Sequence, residues 1–230
     1  MAPIYDCSVD SELLSGMRLA RAAIGRGELV VLPTDTVYGV AADAFNPAAV
    51  QRLLDAKGRG RQSPPPVLIP GISTLAALAE EVPQAVTDLV TEFWPGGLTV
   101  VLPAQPSLAW DLGETRGTVA LRMPSDTIAL ELLSETGPLA VSSANLTGRS
   151  AARTAAEAEA MLGESVEVYL EGGEAGREYD RVEGRDSSST IVDATALAAG
   201  TGPLRILRHG VITEERIRAV VGDQLAAAQP

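Results

Sequence analysis

The apolar runs of this chain are short. LVVLP, PVLIP, LTVVLP, TVALR, PLAVS, VEVYL, TIVDA and LRILR each span five or six residues. Runs of that length make strands; a buried helix takes ten or more residues and a bilayer span about 20. Amphipathic segments with helix start and stop signals lie between several of them, so strands and helices alternate, which specifies an α/β domain. Some neighbours, such as LTVVLP and TVALR, are joined without a helix between them, which points to a mixed parallel and antiparallel sheet. No internal repeat and no linker divides the sequence. A single domain over residues 1–222 is expected, with DQLAAAQP (223–230) as a frayed, disordered tail.

Helix signals place the loops. Ser8 and Asp10 offer caps to SELLSGMRLARAAI, with Leu14, Met17, Leu19 and Ile24 as its apolar stripe and Gly25 and Gly27 as its stop. Asn46 followed by Pro47 opens PAAVQRLLDA, a helix that delivers Lys57 at its C-terminal end. STLAALAE and VPQAVTDLVTEF also read as helices. Ser125 caps DTIALELLSETG, Thr154 with Glu157 forms a capping box, and Thr213 caps ITEERIRAVVG. EGGEAGREYDRVEGRDSSS (171–189) breaks this rhythm: it is long, charged and glycine-rich, as a mobile functional loop or a disordered stretch would be.

Composition narrows the chemistry. A net charge of −12 repels phosphate backbones, so any nucleic-acid contact needs a local basic patch. Cys7 is alone, and MAPIYDCSVD lacks the basic start and apolar run of a signal peptide, so a cytoplasmic protein is expected. His209 is the one histidine, and no Cys/His/Asp cluster has metal-ligand spacing, which excludes catalytic triads and zinc sites. What remains is an anion-binding set of hydroxyls and cations at strand ends and in loops. Thr34 and Thr36 follow ELVVLP; Ser142, Ser143 and Asn145 follow PLAV; Ser189 and Arg208 flank the last strands. Ligands of open α/β sheets gather at such strand ends. Arg122 ends TVALR, where a charge needs a partner: a ligand carboxylate, or an internal Asp or Glu.

One lysine stands against seventeen arginines. Arginine replaces lysine easily on a solvated face but not where a compact ammonium is needed. Lys57-Gly-Arg59-Gly-Arg61 puts three cations in five residues, on a loop whose glycines admit close backbone approach. Such a loop suits a triphosphate, although no Walker motif occurs. From spacing alone, a solvated basic loop offsetting a helix C-terminus reads slightly better.

In chain order, VLPTDTVYG, KGR, FWPGGLTVVL, TVALRMP, SSANLTG, SSTIVD and ILRHGVIT resemble the YrdC-like domain of L-threonylcarbamoyladenylate synthases, over about residues 15–215. The KxR pair (Lys57, Arg59) with the SxN pair (Ser143, Asn145) is the hallmark of that family. The resemblance implies a twisted mixed sheet flanked by helices around a large open cavity. It implies that L-threonine, bicarbonate or CO2, and ATP become threonylcarbamoyl-AMP and pyrophosphate, the first step toward threonylcarbamoyladenosine in tRNA. A carbamate on the threonine amine is already an anionic nucleophile, so positioning and charge neutralisation can carry the step without a protein base.

Carried over position by position, the resemblance places Thr34, Thr36, Arg122, Ser142 and Ser189 around threonine or its carbamate, with Arg122 on the carboxylate. It places Lys57, Arg59, Arg61, Ser63, Thr118, Ser143, Asn145 and Arg208 around ATP, with Lys57 and Arg59 as the catalytic pair. Mg2+ would be bound mainly through ATP phosphates, with no protein side chain assigned. The product would pass transiently to a tRNA threonylcarbamoyl transferase, with weak or no direct tRNA binding and no membrane contact. Gly60, Ser63, Leu68 and Ser188 stand where many relatives have proline, asparagine, histidine and glutamate, and Leu68 removes one expected threonine contact. Longer members carry a second C-terminal domain, which this chain is expected to lack. Three other readings compete: a double-stranded RNA-binding or ribosome-assembly module, which the charge opposes; a carbamoyl-transfer domain like those of the larger, cysteine-rich hydrogenase-maturation proteins; and a retained fold that has lost activity, which Leu68 keeps open.

Overall fold

The computed structural model describes residues 2–179 and 187–227. Its strands are β1 (Ile4–Asp6), β2 (Val30–Leu32), β3 (Gly39–Asp43), β4 (Val67–Leu68), β5 (Leu98–Pro103), β6 (Thr118–Arg122), β7 (Leu139–Ser143), β8 (Val168–Glu171), β9 (Thr190–Asp193) and β10 (Arg205–Arg208). They form one sheet in the order β1-β8-β2-β3-β7-β4-β6-β5-β9-β10. The pairs β2–β3, β3–β7, β7–β4, β6–β5 and β9–β10 are antiparallel and the others parallel; of these, β2–β3 and β5–β6 are joined directly, without a helix between them. The helices are α1 (Asp10–Gly25), α2 (Pro47–Lys57), α3 (Ile72–Leu78), α4 (Gln84–Phe93), α5 (Thr127–Thr136), α6 (Ala155–Leu162), α7 (Thr195–Ala198) and α8 (Glu214–Val221).

Side chains alternate across a strand, so the sheet has two faces with different fates. On one, Val31, Val40, Ala42 and Tyr169 pack with Leu53 of α2 and Ala158 of α6, while Val67, Val100, Leu121 and Val192 pack with α3, α4 and α8. That face is covered except at its β1 edge, where Ile4, level with Tyr169, is exposed. On the other, α1 and α5 cover Val30, Leu32, Ala41, Val141 and Leu170. Beyond Leu68 the apolar cover stops: Arg122, Thr99 and Ile191 belong to none of the apolar clusters. The uncovered half-face is where function can sit.

Local signals fare unevenly. Asn46 caps α2 as expected, accepting from Ala48 N and Ala49 N, and Thr154 and Thr213 cap α6 and α8. The Glu157 carboxylate reaches Arg153 N rather than completing the box at Thr154. α1 departs from expectation: Val9 occupies the cap position without a side-chain bond, and Leu14 is 72% exposed. The buried stripe is Gly16, Met17, Ala20, Ala23 and Ile24, because a Cβ at Gly16 would lie 2.8 Å from the Tyr5 Cβ; the close approach of β1 selects small residues. Asp126, not Ser125, caps α5. β1 and β3 were not foreseen, one being very short and the other made of small residues. The tail is held further than expected: Leu225 is buried, Ala226 N donates to Leu204 O at 2.8 Å, and Arg218 Nη2 donates to Ala226 O at 3.0 Å. Residues 228–230, and residues 180–186 of the long segment, lie outside the described residues.

Candidate active site

Strand register builds the floor of the site. Leu68 of β4 is level with Arg122 of β6. Thr99 of β5 precedes Val100, the partner of Leu121, and is therefore level with Arg122 as well; it pairs with Ile191 of β9. Residues level on neighbouring strands share a face, so Leu68, Arg122, Thr99 and Ile191 form one row across the open half-sheet. Leu139 of β7 extends this row beside Leu68, which puts Ser143 four residues beyond it, against Gly39 of β3. Thr118 lies four residues from Arg122 in the same direction, about 13 Å along the sheet. Over this floor opens a cavity of about 230 Å3. A larger concavity of about 400 Å3 runs from Glu80 to Gly117, but it lacks the buried hydroxyls and guanidiniums gathered here.

At one end Arg122 is 6% exposed and tightly held. Its Nη2 donates to Asp35 Oδ1 at 2.8 Å, its Nη1 to Thr36 Oγ1 at 2.9 Å and its Nε to Gly96 O at 3.0 Å. Both alternatives for this charge are thereby served: Asp35 is the internal partner, and a second N–H on each terminal nitrogen remains for a bidentate carboxylate. Asp35 also accepts from Ser125 N at 2.9 Å and Tyr179 OH at 3.0 Å. Thr34 shapes the loop, donating to Val37 O at 2.6 Å and accepting from Thr36 N at 3.2 Å.

Toward the other end, Gly58 takes the left-handed conformation after α2 and reverses the chain (φ 62°), which separates Lys57 from Arg59. Arg59 lines the cavity, its Nη1 donating to Ser142 Oγ at 3.3 Å and its Nε to Thr147 Oγ1 at 3.2 Å. Lys57 turns inward and is 1% exposed. Its ammonium donates to Ser143 O, to Asn145 O and, at 2.7 Å, to Asn145 Oδ1. A longer contact runs to Ser143 Oγ at 3.4 Å, so all three N–H groups of the ammonium are engaged. Burial, and secondarily the Arg59 charge, push its pKa down to about 7. Lys57 and Asn145, both expected beside ATP, are not among the residues that line the cavity; here they fix the turn that carries Ser143, which does line it.

A third group joins at β9. Ser189 Oγ lies 2.7 Å from Thr99 Oγ1, and Arg208 donates through Nε to Ser189 O at 2.9 Å and through Nη2 to Ser189 Oγ at 3.0 Å. The expected division into a threonine set and an ATP set is thus crossed twice, by Ser142 with Arg59 and by Ser189 with Arg208. Besides Lys57 and Asn145, three more expected ATP residues, Arg61, Ser63 and Thr118, lie outside the cavity lining. Arg61 pairs with Asp111 at 2.6 Å on the surface. Ser63 sits in a turn, its N bonded to Gly60 O at 3.1 Å, while Pro64 and Pro66 beside it line the wall. Thr118 donates to Thr115 O at 2.8 Å at the far end of the floor. Asp35, Thr99 and Tyr179 escaped the sequence reading. Asp35 had a signal, since it stands between two flagged threonines and Arg122 needed a partner; the alternation in LTVVLP marks Thr99.

The cavity thus presents Arg59, Arg122 and Arg208, with hydroxyls between them and no acidic side chain among the described residues that line it. The family model Sua5_yciO_yrdC, described as telomere recombination, matches residues 22–210. The chain belongs to the Sua5/YciO/YrdC family. A relative in Mycobacterium tuberculosis (strain ATCC 25618 / H37Rv), provisionally named threonylcarbamoyl-AMP synthase, is 44% identical over 227 residues, 99% of each chain. The Bacillus subtilis (strain 168) threonylcarbamoyl-AMP synthase is 37% identical over 206 residues, 88% of this chain and 56% of its own. The crystal structure of P. abyssi Sua5 complexed with L-threonine matches with a TM-score of 0.82 at 32% identity, covering 98% of this chain and 63% of that one. Within the Sua5/YciO/YrdC family, then, the fold derived above from strand register is shared by a protein crystallised with an amino acid.

Proposed function

We propose that this protein makes threonylcarbamoyl-AMP and pyrophosphate from L-threonine, bicarbonate or CO2, and ATP, the first step toward threonylcarbamoyladenosine in tRNA. The observation that carries this reading is the two-ended cavity: a carboxylate-ready guanidinium at Arg122, and Arg59 with the Ser142–Ser143 turn toward the end about 13 Å along the floor. Names of relatives support the same activity.

In this reading Arg122 grips the threonine carboxylate, Thr36 orients the amino acid, and Leu68, level with Arg122, gives its side chain an apolar wall. The threonine amine adds to CO2 and loses a proton, giving a carbamate. A carbamate oxygen then attacks the α-phosphorus of ATP, and the bond to the β-phosphate oxygen breaks as pyrophosphate leaves. Arg59 and Arg208 offset the phosphate charge, and their bonds to Ser142 and Ser189 hold them in the cavity wall. Lys57 supports the Ser143 turn without touching substrate. Magnesium enters with ATP: phosphates and water supply most of its shell, and no group of three metal-ligating side chains occurs among the described residues. The acyl phosphate product is labile, and the reading includes its transfer to a separate tRNA threonylcarbamoyl transferase.

Pyrophosphate release from ATP with magnesium and bicarbonate, with and without L-threonine, tests the proposal. Release is expected to require threonine and to fall about 100-fold in Arg122→Lys, which keeps the charge but loses the fork. Threonine-independent release, or none from folded protein, overturns it.

A further inference from the structure

We propose that Tyr179 is a positioning residue for the amino-acid end of the cavity, its hydroxyl closing a ring of contacts that fixes how Arg122 presents its remaining N–H groups. The inference takes the identity of the amino acid from the synthase reading above. The ring can be followed atom by atom. Arg122 Nη2 donates to Asp35 Oδ1, and Tyr179 OH donates to the other oxygen of that carboxylate at 3.0 Å. The same phenolic oxygen accepts from Gly97 N at 2.8 Å. Gly97 follows Gly96, whose carbonyl accepts Arg122 Nε at 3.0 Å. One hydroxyl therefore ties together the two supports between which the guanidinium lies.

The surroundings are built for that contact. A Cβ at Gly97 would collide with Val211 Cγ2 and stand 3.0 Å from the Tyr179 oxygen, so glycine makes room for both. Burial first, and the Asp35 charge second, raise the phenol's pKa, so it keeps the proton it donates. The chain leading to Tyr179 is fastened at several points. Ala175 N donates to Arg153 O at 2.8 Å, Ser125 Oγ to Glu178 Oε2 at 3.3 Å, and Gly176, at φ 73°, packs where a Cβ would come 2.7 Å from Thr36 O. The charged, glycine-rich segment that breaks the strand–helix rhythm thus sends one side chain into the support of Arg122. Tyr179 is not itself among the residues that line the cavity; it acts through Asp35 and the Gly96–Gly97 turn.

Tyr179→Phe keeps the ring and removes the hydroxyl, leaving Asp35 Oδ2 and Gly97 N without that partner. Calorimetric binding of L-threonine without ATP, pyrophosphate-release kinetics and thermal unfolding are compared for the full chain, Tyr179→Phe, Asp35→Asn and the double variant. Tyr179→Phe is expected to raise Kd and KM for L-threonine about three- to tenfold, with KM for ATP and cooperative unfolding retained. In the Asp35→Asn background its effect is expected to be smaller than in the wild type, because one of its two paths runs through Asp35 and the other through the Gly96–Gly97 turn. An unchanged threonine Kd in Tyr179→Phe, equal losses for threonine and ATP, full additivity with Asp35→Asn, or a wild-type protein that binds no L-threonine each overturns the inference. Wild-type protein that binds L-threonine yet releases no pyrophosphate defeats the synthase reading alone, and the binding comparison still decides Tyr179.

Discussion

Lys57 carries a charge that the fold both uses and resists. Its three N–H bonds organise the Ser143–Asn145 turn, while burial and Arg59 lower its pKa from 10.5 to about 7. The sign of the resulting pH dependence follows from proton counts. Below about pH 7 the group is protonated in both states and contributes no slope; between about 7 and 10.5 the unfolded chain binds more protons on it than the folded one, so stability rises with pH. Denaturant midpoints measured across that window should rise for the wild type relative to Lys57→Met, which has nothing to titrate. Lys57→Met should also be less stable at neutral pH by about 1–3 kcal/mol, since Ser143 O, Asn145 O and Asn145 Oδ1 lose their donor. Parallel pH profiles would show that the oxygens hold the ammonium charged throughout. Composition singled this residue out but could not show which way it faces. That depends on the left-handed turn at Gly58 and on β7, partners brought together only by the folded sheet.

Elements defined by local chemistry were legible, and those defined by a neighbour were not. Asn46 with Pro47, Thr154 and Thr213 mark helix starts because a cap bonds within three residues of itself. At α5 two adjacent candidates compete, and tertiary contacts decide. Ser125 is held by its backbone N on Asp35, one step too early to cap, so Asp126 accepts from Ala129 N at 3.0 Å. Asp126→Ala should therefore cost about 1 kcal/mol in denaturant unfolding, and Ser125→Ala under about 0.5 kcal/mol, because the bond to Asp35 comes from the main chain. Equal losses would return the cap to Ser125. α1 teaches the converse: its leucines suggested the buried stripe, yet β1 and β8 press so close that Gly16 and alanines face inward and Leu14 faces out.

Across the whole molecule, the site exists because one sheet is covered unequally. Alternation in LTVVLP and TVALR held that information, with Thr99 and Arg122 on one face and Val100 and Leu121 on the other, although the strand order that lines them up spans distant segments. A chain of net charge −12 thereby gathers three guanidiniums into one cavity. The covered face needs a seal of its own at the last strand. Leu225, beyond α8, is 3% exposed and shares an apolar cluster with Leu204, Ile217 and Val221, while its neighbours bond to Leu204 and Arg218. Residues 223–227 therefore close the domain, contrary to what their alanine-rich, polar sequence suggests. Leu225→Ala should lower unfolding free energy by about 2–4 kcal/mol, as for other large-to-small changes in a packed core. KM for L-threonine should stay unchanged, since the sheet itself separates this cluster from Arg122. A loss under about 0.5 kcal/mol, the range of surface substitutions, would mean that the tail rests on the domain without sealing it; a shifted KM would mean that the two faces communicate through β9 and β10.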